Sequence, residues 1–524
     1  MKIKSICIVG GGSAGWMTAS AFSSLLTNIK ITLVESPIVS KIGVGESTMP
    51  EIHEFLDAIN VSDRDWMKEC DASYKMGLRF VDFLEKGHSF VFPFYNPAKI
   101  KPPKDWFFFK QRNRNFPYSY TDYITPEISL MCKKNKMTGD NFVCMDKDIG
   151  YRNYSYQVDA DKFAKFLMNK VAIPRGTTHI LDHVVDYNVV DEKLKSIKTQ
   201  NGLTIEADLF VDCTGFKSLL LEKVFKSKHV PFTKLLNDSA FFTPIQYEEE
   251  HSKEKEMEVV TDCVAMDNGW IWNTPLWSRI GTGYVYSSKY TDKENAKTEF
   301  MNYLSKRFGE NRVRDLEPKS LEIRNGKHEK CWVSNVVAIG LSYGFIEPLE
   351  STGLYLVHDA ILKVAHLISR RDGHVGRAEI SAFNIQWDDH VSFYEWFVSM
   401  HFFLTKREDT EYWRQYSDKM EFDFDSNLLE NKSIPIKLFR TTEFFQKINR
   451  FVHDNSLIGV NYIAYNMDVL PISYISNFDK TYDPNYIKEN QFIKSYKDIS
   501  SIIDRLPSHY KFLKNNIYEN TISR

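Results

Sequence analysis

The sequence predicts an α/β protein whose parallel-sheet core opens the chain and whose C-terminal part is mainly helical. First, residues 3–9 are an apolar, strand-like run that passes straight into glycines 10–12 and Gly15. Second, Ala19, Phe22 and Leu25 then recur at helical spacing, and residues 30–35 read as a second strand, which completes a βαβ unit. Third, the runs 207–213 and 334–340 read as further buried strands, whereas from about residue 353 the apolar positions turn helical through Leu362, Val364, Ala365 and Leu367.

Between these elements the pattern is less regular. Residues 41–50 form a polar, glycine-rich loop, and 51–85 read as largely helical and then extended. Residues 86–150 lack periodicity and carry Pro93, Pro97, Pro102, Pro103 and Pro117 among many aromatics. Disordered segments are poor in aromatics, so this stretch is expected to be a functional loop region. Residues 178–213 and 257–285 alternate as strands. No repeat, low-complexity tract or linker divides the chain. It is therefore expected to be one unit, with a cofactor-binding core over about 1–355 interleaved with a substrate sheet region, and a helical, substrate-covering part over about 356–524.

Composition narrows the function classes. The 524 residues carry 67 basic and 69 acidic side chains, a net charge of −2 that argues against nucleic acid or an anionic membrane as partner. Aromatic content is 14%, which suits a bulky core and also a site that holds flat ligands by stacking. The seven cysteines are scattered and form no C-x-x-C, so neither a disulfide framework nor a metal site is expected. No signal-peptide pattern and no apolar run of membrane-spanning length is present, so a cytoplasmic protein is expected, with self-association left open.

Gly10-Gly11-Gly12-Ser13-Ala14-Gly15 fits G-x-G-x-x-G in the context the motif needs, after a strand and before a helix. Gly10 permits the tight turn, Gly12 the approach of a pyrophosphate, and Gly15 close packing of helix on strand. The helix N-terminus around Ser13 and Ala14 offers free N–H groups to the phosphates. Glu35, at the end of the second strand, can accept hydrogen bonds from ribose hydroxyls. Asp212-Cys213-Thr214-Gly215, a small-residue turn late in the chain, favours FAD over NAD.

Gly269-Trp270-Ile271-Trp272-Asn273-Thr274-Pro275 resembles the W-x-W-x-I-P signature of flavin-dependent halogenases, with Thr274 where the family has Ile. Phe345-Ile346-Glu347-Pro348-Leu349-Glu350-Ser351-Thr352-Gly353 resembles the family's F-x-x-P-x-x-S-x-G. Gly43-Val44-Gly45-Glu46-Ser47-Thr48-Met49-Pro50 is similar to its G-V-G-E-A-T-x-P loop, and Ala72-Ser73-Tyr74-Lys75 to the stretch carrying its essential lysine. His401-Phe402-Phe403, Asp409-Thr410 and Trp413 follow the family pattern too. The resemblance runs in order from residue 5 to about 415.

It implies a monooxygenase-like flavoprotein fold and a reaction in which FADH2, oxygen and halide yield hypohalous acid. That oxidant crosses the protein to an electron-rich aromatic substrate. FADH2 would come from a separate flavin reductase. On this resemblance Lys75 relays the oxidant and Glu350 assists as base or polarising carboxylate. Gly45 and Ser351 join the flavin site, and Thr352 and Gly353 present N–H groups to chloride, bromide or iodide. Trp270, Trp272 and Pro275 border the path, and Phe92 and Phe94 fall where the family sandwiches its arene. The matching C-terminal clamp is not recognisable around residues 450–455, which argues against free tryptophan and for an indole, phenol or related arene. An FAD-dependent aromatic monooxygenase would share the glycines and Glu35, but needs neither Lys75 with Glu350 nor the paired tryptophans.

Overall fold

The computed structural model describes residues 1–38, 45–94, 106, 109–110, 116–139, 145–146, 151–419, 422–423, 433–434, 456–468 and 487–519. Its first sheet has six strands in the order Thr178–Leu181, Lys30–Glu35, Ser5–Val9, Leu209–Asp212, Val336–Ala338 and Trp332–Val333. The first five run parallel and the last is antiparallel. Ile6, Cys7, Ile8 and Val9 are all buried, as expected of a parallel strand covered on both faces. Helix Ser13–Leu25 follows the glycine turn and packs against helix Thr352–Arg370.

A second sheet of seven strands runs Lys319–Glu322, Ser239–Gln246, Arg279–Tyr286, Gly269–Pro275, Val260–Ala265, Gly77–Val81 and Ser89–Pro93. Only Val260–Ala265 and Gly77–Val81 pair in parallel. Strands of the two sheets alternate along the chain, so each sheet is built from distant segments. A small three-stranded sheet places Ser155–Asp159 between Gly45–Ser47 and Ser73–Lys75.

The C-terminal segments are mostly helical: Thr352–Arg370, Arg377–Phe403, Ser456–Asn466 and Ile487–Ile503. The irregular region contributes the helices Tyr120–Ile124 and Pro126–Lys133. Six of the cysteines are buried and unpaired, and Cys144 lies outside the described residues. Among the described residues no helix is long and apolar enough to cross a membrane, and no cluster of three or more His, Cys, Asp or Glu is arranged to hold a metal ion.

Candidate active site

A cavity of about 660 Å³ runs from the glycine turn to the junction of the two sheets. At one end it is lined by Gly10, Gly12, Ser13, Ala14 and Glu35, and at the other by Gly45, Trp270, Trp272, Ser351 and Gly353. Gly10 has φ +119°, and a Cβ there would lie 2.2 Å from the Cys213 carbonyl oxygen, so this turn requires glycine. Gly15 is excluded from the lining. Its role is packing, because a Cβ would meet the Gly10 carbonyl at 1.8 Å. Gly12 faces open space, which is what a pyrophosphate cradle needs. The helix Ser13–Leu25 has no side-chain cap, so its first N–H groups stay available to a ligand.

These residues fit FAD. Glu35 is buried at the cavity wall beside the turn, where a dinucleotide's ribose would lie. Gly11, which sequence reasoning passed over, is required by Glu35 itself: a Cβ at Gly11 would lie 2.2 Å from the Glu35 carboxyl carbon. The loop part Gly43–Val44 lies outside the described residues.

Lys75 is fully buried at the end of its short strand. Both Ser47 and Lys75 pair across Ser155–Asp159, which brings the two outer strands together around the lysine. Its Nζ donates to Ser351 Oγ at 2.6 Å, to Ser47 Oγ at 3.2 Å and to the Thr48 carbonyl at 3.3 Å. Three acceptors satisfy the three N–H groups of an ammonium. The Phe94 ring lies on another side, 4.8 Å from Nζ to centroid. Burial pushes the Lys75 pKa down to about 7, opposed by Cys263 and Glu350.

Lys75 and Glu350 are absent from the cavity lining, whereas Ser47 and Ser351 belong to it. The two serine hydroxyls, 2.6 Å apart, therefore stand between the cavity and the lysine. Ser47 carried no role in the sequence reading, although the quoted loop motif shows it at the family's Ala.

Ser351 adopts φ +60° and starts helix Thr352–Arg370 without a side-chain cap. Thr352 is fully buried and its Oγ1 has no hydrogen-bond partner among the described residues. Uncapped N–H groups, a dipole end and an unused hydroxyl together suit an anion. Glu46, also on the wall, aims Oε2 to within 3.9 Å of where a Gly353 Cβ would lie, and burial pushes its carboxyl up to about 7.

Trp270 is fully buried and donates its indole N–H to Glu347 Oε2 at 2.7 Å, an oxygen that also accepts from Asn237. Trp272 leans across the sheet onto Gly283. Pro275 does not line the cavity; its carbonyl accepts from Ser73 Oγ at 2.5 Å. Phe92 packs against Phe397 and Tyr462, away from the flavin end. The segment 450–455, read as the lost clamp, lies outside the described residues.

The model of the tryptophan halogenase family matches residues 5–471. Tryptophan 7-halogenase RebH from Lentzea aerocolonigenes is 32% identical over 79% of this chain and 78% of its own length. The structure of VirX1 superposes with a TM-score of 0.87 at 33% identity, covering 99% of this chain and all of VirX1 (100%). Tar14, a tryptophan C-6 flavin-dependent halogenase from taromycin biosynthesis, superposes with a TM-score of 0.82 at 29% identity, covering 97% of this chain and 99% of its own.

Proposed function

The chain belongs to the tryptophan halogenase family of flavin-dependent enzymes, and from that premise we propose that it halogenates an electron-rich arene, with Lys75 as the relay and Glu350 assisting. The carrying observation is the link from cavity to lysine: Ser351 lines the cavity and accepts from Lys75 Nζ at 2.6 Å. FAD, bound along the cavity as FADH2 from a separate reductase, supplies with oxygen the oxidising equivalent that turns halide into hypohalous acid. The start of helix Thr352–Arg370 holds the halide through the N–H groups of Thr352 and Gly353. Trp270 and Trp272 keep the arene from the flavin, and Phe92 and Phe94 receive it.

A lysine that titrates near 7 reaches both protonation states at neutral pH. As ammonium, Lys75 donates a hydrogen bond to the oxygen of hypohalous acid and polarises the O–X bond. As amine, it forms an N–X bond with release of water. In both cases the electrophilic halogen is presented at Nζ, and substrate pose selects the carbon that receives it. The arene cation that follows is stabilised by Glu350, which removes the ring proton.

The assay supplies FADH2 from a separate reductase to wild type and Lys75→Ala, with chloride, bromide or iodide and a panel of indoles and phenols. Mass spectrometry is expected to show halogenated product from wild type alone. Hydroxylated arene instead would favour the aromatic monooxygenase reading. Halogenation unchanged in Lys75→Ala would remove the relay.

A further inference from the structure

Glu350 does not stand alone. His401, on helix Arg377–Phe403, places Nε2 2.6 Å from Glu350 Oε1, and both side chains are almost completely buried. Neither atom meets hydrogen-bond geometry with any described residue, each other included, so this close approach is the polar contact each of them makes. The other imidazole nitrogen, Nδ1, lies 2.9 Å from the Phe397 carbonyl oxygen. A carbonyl only accepts, so Nδ1 carries a hydrogen. A neutral imidazole with its hydrogen on Nδ1 has a bare lone pair on Nε2. Two lone pairs repel at 2.6 Å, so the contact calls for one proton held by the His401–Glu350 pair.

We propose that His401 is a positioning residue which shares this proton with Glu350 and thereby holds the carboxyl ready as the base for the substrate's ring proton. The inference rests on the proposed halogenase function. With the shared proton on Nε2, Glu350 is ionised and its negative charge is balanced by the imidazolium. Without His401 the buried carboxyl loses the polar neighbour that faces its Oε1. As halogen bonds to the ring carbon, the O–X or N–X bond breaks. The ring C–H electron pair then returns to the ring, and the proton passes to Glu350. Where hypohalous acid is the donor, its hydroxide leaves as water with a proton from Lys75. Where the haloamine is the donor, Nζ takes up a proton as the N–X bond breaks and leaves as the amine, so that one proton is gained at nitrogen for the one lost from the ring. The overall change is ArH + HOX → ArX + H2O.

The groups that act on Glu350 from neighbouring elements are Lys75, Cys263 and Tyr394. The Cys263 thiol is pushed up by burial, and so is the Tyr394 hydroxyl. Both are neutral at working pH, which leaves Lys75 and His401 as the groups able to exchange protons with Glu350. Among the described residues, the aromatic rings against His401 are Phe80 and Phe397, at 4.9 and 5.2 Å between centroids.

Two measurements test this. In cofactor-free protein labelled with ¹⁵N-histidine, wild type is expected to show one histidine that keeps a proton on Nδ1 and a strongly shifted Nε2 resonance. That resonance should return to the neutral-imidazole position in Glu350→Gln. In the halogenation assay, His401→Phe is expected to lower kcat by about tenfold to a hundredfold while KM for the arene moves less than about threefold. His401→Gln, whose amide N–H can reach Glu350, should recover part of that loss. His401→Phe should add little to Glu350→Gln, because the two act as a unit.

An unchanged kcat and pH profile in His401→Phe, or an Nε2 resonance indifferent to Glu350→Gln, overturns the proposal. FAD absorbance and melting temperature identify a misfolded variant, in which case His401→Gln and the nitrogen spectrum decide. If wild type yields no halogenated arene, the proposed function fails, and the nitrogen spectrum still decides the pairing.

Discussion

Replacing Lys75 by methionine tests the buried lysine through stability. Methionine fills similar space but cannot be charged. The fall of the Lys75 pKa from 10.5 to about 7 corresponds to about 5 kcal/mol of cost for burying the ammonium. Below pH 7 the lysine is charged in both folded and unfolded chains, and the whole cost is present. Between pH 7 and 10.5 the unfolded chain keeps a proton that the folded one has lost, so wild-type stability rises with pH by about 1.4 kcal/mol per unit. Lys75→Met lacks this contribution. Its loss of the bonds to Ser47, Ser351 and Thr48 is a nearly constant offset. The advantage of the variant over wild type should therefore be flat below pH 7 and shrink by about 3 kcal/mol between pH 7 and 9. Paired thermal melts of the cofactor-free proteins should show this as a relative shift of about 3 °C. A gap that stays constant or widens from pH 7 to 9 would refute the argument that burial neutralises Lys75.

Glu46→Gln probes the proposed halide site. With the Glu46 carboxyl near 7, wild-type bromide affinity should fall about tenfold per pH unit above 7 as the carboxylate repels the anion, and that dependence should vanish in the variant. Titration by tryptophan fluorescence quenching measures it. Gly10→Ala forces a side chain onto a φ of +119° and against the Cys213 carbonyl, so the purified protein should lack bound FAD in its visible spectrum. Trp270→Phe removes a donor from buried Glu347 and should destabilise the fold by about 1–3 kcal/mol. Burial raises the Glu347 pKa to about 7, and the lost N–H favoured its charged form. The loss should therefore grow as pH rises through 7, read from melting temperatures.

What the sequence made legible follows from how local the signals are. The glycine turn, the strand before it and the helix after it occupy one continuous segment, and the buried strands 209–212 and 336–338 are short apolar runs between polar neighbours. Lys75, Glu350 and Ser351 were legible through a motif rather than through any periodicity. The Ser73–Lys75 and Gly45–Ser47 strands have three residues each, too few to show a pattern. Nothing local announces that Ser47, Ser351 and His401 surround Lys75 and Glu350, because the hydrogen bond from Lys75 to Ser351 spans 276 positions. Phe92 and Phe94 were read as one aromatic pair, yet only Phe94 faces the lysine. Glu46 and Glu347 were quoted within motifs without roles, because a carboxyl becomes distinctive only once its burial is known.

The two tryptophans of the cavity wall are held by immobility more than by bulk. Trp272 occupies space that exists only because residue 283 has no side chain: a Cβ there would lie 2.1 Å from the indole Cη2. Gly283 pairs directly with Trp272 in the sheet, so register delivers this vacancy to the ring that fills it. Trp270 is held differently, by its N–H on a carboxylate that is itself fixed by Asn237. One tryptophan is locked by shape and the other by a hydrogen bond, and the Thr274 departure touches neither lock. Ser47 and Ser351, not the tryptophans, are the cavity-lining groups that touch Lys75, and on the proposed function the relay passes them.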